Sequence, residues 1–176
     1  MTEQHKQPES IQLTADEIRQ RVDRLNRMAD TLLADDPQRA NELCKQAIEM
    51  AKQLPPEEIH RSGLATSHFL MGRILADKRD YHQSTLLYLQ ALPLFEETGE
   101  EAENARVLNA IGLNYSLLGA YPESLQHLLK AQEIFQRLNM IPQEAEVLNN
   151  LGLLHLFLED PIKASKALTA GYDIAQ

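Results

Sequence analysis

Apolar residues recur at spacings of three and four along most of the chain, as in the series Leu25, Met28, Ala29, Leu32 and Leu33. That spacing places side chains on one face of an α-helix, whereas a half-buried strand would alternate apolar and polar residues. Asn-Gly and Asp-Gly pairs, which mark tight turns between strands, are absent from the sequence. The pattern therefore predicts an all-α protein.

Proline, glycine and short polar runs interrupt the helical pattern at regular intervals. Pro37, Pro122 and Pro161 suit the first position of a helix, where the missing N–H loses no hydrogen bond. Pro93 falls inside a predicted helix and is expected to kink that helix without ending it. The interruptions predict eight helices, over residues 14–34, 37–53, 57–78, 81–97, 100–118, 122–138, 142–159 and 161–175.

Glycines at equivalent positions indicate that these helices belong to a repeated unit. We call the residues that occupy one position in successive repeats a column. Gly72, Gly112 and Gly152 are spaced by forty residues, and several neighbouring columns share this spacing. An earlier copy fits with a displacement of 44 residues, which puts Met28 in the glycine column. Glycine costs a helix about 1 kcal/mol relative to alanine. We expect the close crossing of two paired helices to offset that cost, so these glycines are interpreted as packing residues.

Composition and charge exclude several classes of partner. The chain has 176 residues, of which 26 are acidic and 17 are basic, and its net charge is −9. Such a balance repels nucleic acid and anionic lipid, so neither is expected as a partner. Residues 1–13 are polar, lack the apolar core of a signal peptide and are expected to form a flexible arm. A single cysteine, Cys44, excludes an intrachain disulfide, and a cytoplasmic location is expected.

Side chains that could carry chemistry do not form a recognisable site. The six histidines show no i, i+4 pair with a carboxylate helper, as a zinc site on a helix would need. The acidic run from Glu96 to Glu103 lacks the alternating ligands of a calcium loop and is interpreted as a solvated connection between helices. Cys44 has no nearby histidine that would activate it as a nucleophile. The sequence therefore predicts no catalytic residue, no metal ligand and no cofactor, and the protein is not expected to be an enzyme.

One set of columns resembles the tetratricopeptide repeat. The resemblance lies in Leu108, Ile111, Gly112, Tyr115, Gly119, Tyr121, Ser124, Leu128 and Ala131, with variation in the other copies. It implies a right-handed superhelical solenoid of about four antiparallel helix pairs. Because the unit has forty residues instead of the common 34, the chain is similar to the long-repeat type of bacterial regulatory proteins. The expected repeats are residues 14–56, 57–99, 100–139 and 140–176.

The resemblance also implies a function, namely a protein- or peptide-binding regulatory module. We expect it to form the amino-terminal, sensory part of a larger bacterial signalling protein that continues beyond residue 176. In this family the first helix of each pair lines a concave groove. The corresponding positions here are Phe69, Arg73, Arg106, Asn109, Leu113, Asn149, Asn150, Leu153 and Phe157. With the displacement of 44 residues, Leu25 and Ala29 occupy the positions of Phe69 and Arg73 in the first repeat.

Two interpretations stay open at the sequence level. Asn109 and Asn149 occupy one column, where their amides could either hold the backbone of a bound peptide or join adjacent repeats. The last repeat ends without a polar closing helix, which would leave an apolar face exposed. The alternative function is therefore a module that dimerises its parent chain through that face, which includes Ala167, Leu168, Gly171 and Ile174.

Overall fold

The computed structural model describes residues 13–176, and in that part of the chain every regular element is an α-helix. The all-α prediction is confirmed. The predicted arm, residues 1–13, lies outside the described residues except for Leu13. The eight helices are α1 (Ala15–Leu32), α2 (Pro37–Ala51), α3 (Arg61–Asp77), α4 (Tyr81–Thr98), α5 (Glu101–Leu117), α6 (Tyr121–Arg137), α7 (Ile141–Phe157) and α8 (Pro161–Ile174).

Helix boundaries follow local chemistry. Thr14 begins α1 with a capping box: its backbone N–H donates to Glu17 Oε2 at 2.8 Å, and its hydroxyl accepts from the Glu17 N–H at 3.3 Å. Pro93 lies inside α4, which continues across it to Thr98. The start of α3 differs from the prediction, because Glu58 N–H bonds to Pro55 O at 2.9 Å and forms a turn where a helix was expected.

Five of the seven turns between the helices of residues 13–176 share one backbone conformation. Arg79, Gly119 and Glu159 follow the first helices of three pairs, with φ angles of 61°, 79° and 56°. Gly99 and Asn139 hold the same left-handed conformation after the second helices, with φ of 73° and 55°. In the turn at Arg79, the N–H of the next residue bonds back to Leu75 O at 2.9 Å, the usual closure of a helix end. Similar turns repeated along the chain place the helices in antiparallel pairs.

The glycine column marks a close approach of the two helices in three of the four pairs described, as predicted. A methyl group built on any of the three glycines would lie less than 3.0 Å from a side chain of the paired helix. The contacts are Gly72 with Tyr88 Cε1 at 2.4 Å, Gly112 with Leu128 Cγ at 2.7 Å and Gly152 with Leu168 Cγ at 2.6 Å. Ser124 adds a hydrogen bond at this crossing, from its hydroxyl to Gly112 O at 2.7 Å.

The first pair requires a correction to the register. The sequence placed Met28 in the glycine column, but Met28 is 46% exposed, whereas Ala29 is 0% exposed and packs with Ala40, Leu43 and Cys44. The assignment of Met28 was wrong by one residue, because the turn between α1 and α2 differs in length from the later ones. Residues of α1 therefore correspond to residues of α3 that lie 43 positions later, as Ala29 does to Gly72. Alanine provides the small side chain at this crossing.

The helix pairs stack side by side, and four apolar clusters fill the space within and between them. Contacts are confined to helices that are close in sequence order, as expected of a solenoid. Among the first helices, α1 packs directly on α3 and α5 packs on α7, whereas α3 and α5 make no comparable contact. None of the helices in residues 13–176 has both the length and the apolar composition that a membrane crossing requires.

Candidate functional site

Two neighbouring clefts open between the first helices of the pairs. One, of about 370 Å³, lies over α1, α3 and the start of α5, and the other, of about 430 Å³, lies over α3, α5 and α7. Phe69, Arg73 and Arg106 line both clefts, so they form one continuous surface. We call this surface the groove.

Asparagine amides join the first helices on either side of the groove. Asn26 Nδ2 donates to Gly63 O at 2.7 Å, and its Oδ1 accepts from the Ser67 hydroxyl at 2.7 Å. At the junction of α5 and α7, Asn109 Nδ2 donates to Glu146 Oε1 and its Oδ1 accepts from Asn150 Nδ2, both at 2.8 Å. Each asparagine therefore bonds to residues 37 and 41 positions further along the chain. We call this arrangement the amide clamp.

The middle junction, between α3 and α5, lacks the clamp. In the corrected register Phe69 stands where Asn26 and Asn109 stand in the other pairs, and the matching positions on α5 are Arg106 and Ala110. A phenyl ring cannot make the clamp's hydrogen bonds. Its ring centroid lies 5.6 Å from that of Tyr88 on α4, at an interplanar angle of 41°. This is the junction at which the first helices lie apart and the two clefts meet.

The charges of the groove are unequal in number. The guanidinium groups of Arg27, Arg73 and Arg106 face six carboxylates. Arg73 Nη1 lies 3.1 Å from Asp30 Oδ1, and Arg106 Nε lies 3.7 Å from Glu103 Oε1. The six carboxylates belong to Asp23, Asp30, Asp77, Glu100, Glu103 and Glu146.

The residues proposed for the groove divide into two groups. Phe69, Arg73, Arg106, Asn109 and Leu113 line the clefts, although both functional groups of the Asn109 amide are used in the clamp. The others lie further towards α8 and do not line either cleft; they are Asn149, Asn150, Leu153 and Phe157.

Three of these four residues make contacts within the chain. The amide of Asn150 is bonded to Asn109, and exposed Asn149 has its Oδ1 3.1 Å from the site of a methyl group built on Gly171. The ring of Phe157 stacks on Tyr121, with centroids 6.2 Å apart. Phe157 is thus held at the edge of the array by a contact within the chain.

Sequence reasoning missed the part of the groove formed by α1. The residues concerned are Asp23, Asn26, Arg27 and Asp30. The one-residue error in register put Leu25 and Ala29 in the groove column, whereas a displacement of 43 pairs Asn26 with Phe69 and Asp30 with Arg73. Glu100 and Glu103 were also missed, because the acidic run around Gly99 was interpreted only as a solvated connection.

The face at the carboxy-terminal pair is only partly open. Ala167 and Ile174 pack against the cluster beneath α7, and Gly171 is buried against the same helix. Leu168 is 39% exposed, whereas Leu128, its counterpart one repeat earlier, is 0% exposed. The exposed apolar residues of α8 are therefore Ile162, Leu168 and Tyr172.

Two titratable groups with perturbed pKa values, Cys44 and His68, do not line either cleft, whereas Tyr88 lines one of them and burial raises its pKa to about 12. Burial raises the pKa of the Cys44 thiol to about 12. Burial, followed by the charge of Lys52, lowers the pKa of His68. Within residues 13–176, no three histidine, cysteine or acidic side chains are grouped closely enough to hold a metal ion.

Comparison with known proteins places this architecture in context. The family model described as "Tetratricopeptide repeat" matches residues 63–137 and 103–176. No curated protein matches the chain. Among solved structures, the fold is similar to that of BtubC (BKLC) from P. vanneervenii, with a TM-score of 0.68, 20% sequence identity and coverage of 93% of this chain and 74% of that one.

A second similar structure is that of aspartyl phosphate phosphatase F from Bacillus subtilis. The TM-score is 0.77, the sequence identity is 18%, and the match covers 90% of this chain. This chain spans 41% of the length of the phosphatase. At these identities the two structures establish a shared fold.

Proposed function

Since the chain belongs to the tetratricopeptide repeat family, whose members are protein-interaction scaffolds, we propose that it binds a protein or peptide partner in the groove as a regulatory module. We further propose that it is the amino-terminal, sensory part of a larger bacterial signalling protein. The similar fold of a Bacillus subtilis protein supports this context, since that protein is longer than the region it shares with this chain.

The unclamped middle junction carries the proposal. The amide clamps tie α1 to α3 and α5 to α7, so the first helices at those two junctions are held close together. Around Phe69, in contrast, apolar surface from Ala110 and Leu113 lines an open cleft between charged side chains. An apolar patch with a polar rim is the usual composition of a protein-binding surface.

Paired substitutions test the proposal. Leu113→Gln changes the groove, and Leu129→Gln makes the same change, also without altering charge, on the outer surface of α6. Each variant and the unchanged chain would serve as bait for cell extract, with captured proteins quantified by mass spectrometry. We expect at least one protein to be captured by the unchanged chain and by Leu129→Gln but strongly depleted with Leu113→Gln. Equal capture by all three baits would contradict binding in the groove.

The exposure of Leu168 supports a second candidate function, dimerisation of the parent chain. Leu128 is covered by the following helix pair, so a second copy that covered Leu168 would restore the same kind of contact. The Leu168→Glu variant should then convert a dimer to a monomer in light scattering at tens of micromolar, whereas Leu129→Glu should not. A monomeric unchanged chain would refute this candidate.

A further inference from the structure

The charge and shape of the groove restrict the chemistry of its partner. We infer, on the basis of the proposed function, that the groove binds a basic segment of a partner. One apolar side chain of that segment lies on Phe69 and Leu113, and a lysine or arginine lies close to Asp77 and Glu146.

The cleft over α3, α5 and α7 provides the apolar surface for the partner. Phe69 and Leu113 are only partly buried, and Ala76 and Ala110 add small apolar side chains beside them. Burial of one leucine-sized side chain on such a surface is favourable by roughly 1.5–3 kcal/mol when it is complete. An isolated apolar side chain would give weak binding with little selectivity, so polar contacts at the rim must provide the specificity.

Some charged side chains of the groove already form ion pairs within the chain. Arg73 and Arg106 each have a carboxylate within ion-pair distance, Asp30 and Glu103 respectively. In contrast, Asp77 and Glu146 line the same cleft with no cation within ion-pair distance among residues 13–176.

The Asn109 amide that bonds to Glu146 leaves the charge of this carboxylate in place. Both Asp77 and Glu146 are exposed, so a cationic side chain can reach them.

The charge of the whole chain acts in the same direction. A net charge of −9 attracts a basic segment during diffusion and repels an acidic one, so association with the former is faster at low salt. An acidic segment held by the groove arginines is the competing possibility. At Arg73 and Arg106 it would have to displace Asp30 and Glu103 or share the arginines with them, which leaves Arg27 as the groove arginine without an ion pair among residues 13–176.

Two fluorescein-labelled peptides test the inference directly by fluorescence anisotropy. Both have twelve residues and one central leucine; one carries four lysines around the leucine and the other carries four glutamates. We expect the lysine peptide to bind the chain at least about tenfold more tightly at low salt. Because the ion pairs are exposed, we expect this preference to shrink at roughly 0.5 M salt.

Two double variants, each of which removes two negative charges, show whether the groove carboxylates bind the lysine peptide. Asp77→Asn with Glu146→Gln removes two negative charges from the groove, and glutamine keeps an oxygen that can accept the Asn109 N–H. Glu123→Gln with Glu133→Gln removes two charges from α6 outside the groove. The groove pair should weaken binding of the lysine peptide by about three- to tenfold, and the control pair should change it less than twofold.

Several results would overturn the inference. It fails if the glutamate peptide binds as well as the lysine peptide, if neither peptide binds, or if both double variants weaken binding equally. These outcomes are separable from failure of the proposed function. A captured partner that is lost with Leu113→Gln but binds through an acidic segment would leave the groove as the binding site and refute only its preference for basic segments.

Discussion

Substitution of each column glycine by alanine should have consequences that depend on the neighbour it faces. An added methyl group would lie 2.4 Å from Tyr88 Cε1 at Gly72 and 2.7 Å from Leu128 Cγ at Gly112. Both neighbours are buried, and at Gly112 the Leu128 backbone nitrogen is also only 3.3 Å away. Neither neighbour can move without disturbing the core, so overpacking should cost about 1–3 kcal/mol.

Gly152 provides the internal comparison. Its methyl group would lie 2.6 Å from Leu168 Cγ, which is as close as the contact at Gly112, but Leu168 is partly exposed and can rotate towards solvent. Alanine in place of a helical glycine gains about 1 kcal/mol. We therefore expect Gly152→Ala to be neutral or stabilising by up to about 1 kcal/mol, and Gly112→Ala to be destabilising by up to about 2 kcal/mol.

Thermal unfolding followed by circular dichroism measures this difference. For a chain of this length, 1 kcal/mol corresponds to a change of about 2–4 °C in the melting temperature. Gly72→Ala and Gly112→Ala should lower the melting temperature by several degrees, and Gly152→Ala should leave it unchanged or raise it. In a Leu128→Ala background, Gly112→Ala should no longer be destabilising. If Gly152→Ala lowered the melting temperature as much as Gly112→Ala, the freedom of the facing leucine to move would not determine the cost of an added methyl group.

Three further predictions concern the clamp, a buried thiol and a turn. Asn109→Ala should destabilise the fold by about 1–3 kcal/mol in urea unfolding because it removes two hydrogen bonds between α5 and α7, whereas Asn149→Ala should change stability by less than about 0.5 kcal/mol; equal effects would refute the clamp. Burial raises the pKa of the Cys44 thiol from 9.0 to about 12, so the folded chain keeps a proton that the unfolded chain loses between these pH values. The resulting stabilisation is complete below pH 9 and is lost towards pH 12. Cys44→Ala should therefore show a shallower decline of the free energy of unfolding in that range. Glu159→Gly should raise stability by about 1 kcal/mol in the same urea assay, since Glu159 has a φ of 56°; a loss of stability would refute this.

Periodicity is the part of this structure that the sequence predicts well. The forty-residue spacing of Gly72, Gly112 and Gly152 corresponds to three equivalent helix crossings, because close packing demands a small residue at the same place in every unit. The capping box at Thr14 was also predictable, since it depends on residues only three positions apart. Features that depend on one unit or on neighbouring residues can be inferred from the order of residues alone.

The contents of the groove were less predictable, because they depend on register between units. A difference of one residue in the first turn moved the apparent column from Asn26 to Leu25, which concealed the first amide clamp. The sequence could not decide between clamp and peptide ligand for Asn109, since the answer depends on whether Glu146 and Asn150 come within hydrogen-bonding distance across the junction. Whether the ring of Phe157 stacks on Tyr121 also depends on side-chain conformation, which sequence spacing does not determine.

The location of the groove depends on one residue, Phe69, that differs from its counterparts in the other repeats. Asn26 and Asn109 tie each first helix to the next, and Phe69 occupies the same position at the junction between them. In a solenoid the free energy divides mainly into terms within units and between nearest neighbours. The clamp is missing between α3 and α5, while α4 and α5 stay joined by Asn114, whose Nδ2 donates to the Ser84 and Thr85 hydroxyls at 2.9 and 3.1 Å. A partner that binds over Phe69 therefore contacts the junction whose first helices are not tied to each other, while the two clamps hold the flanking first helices together.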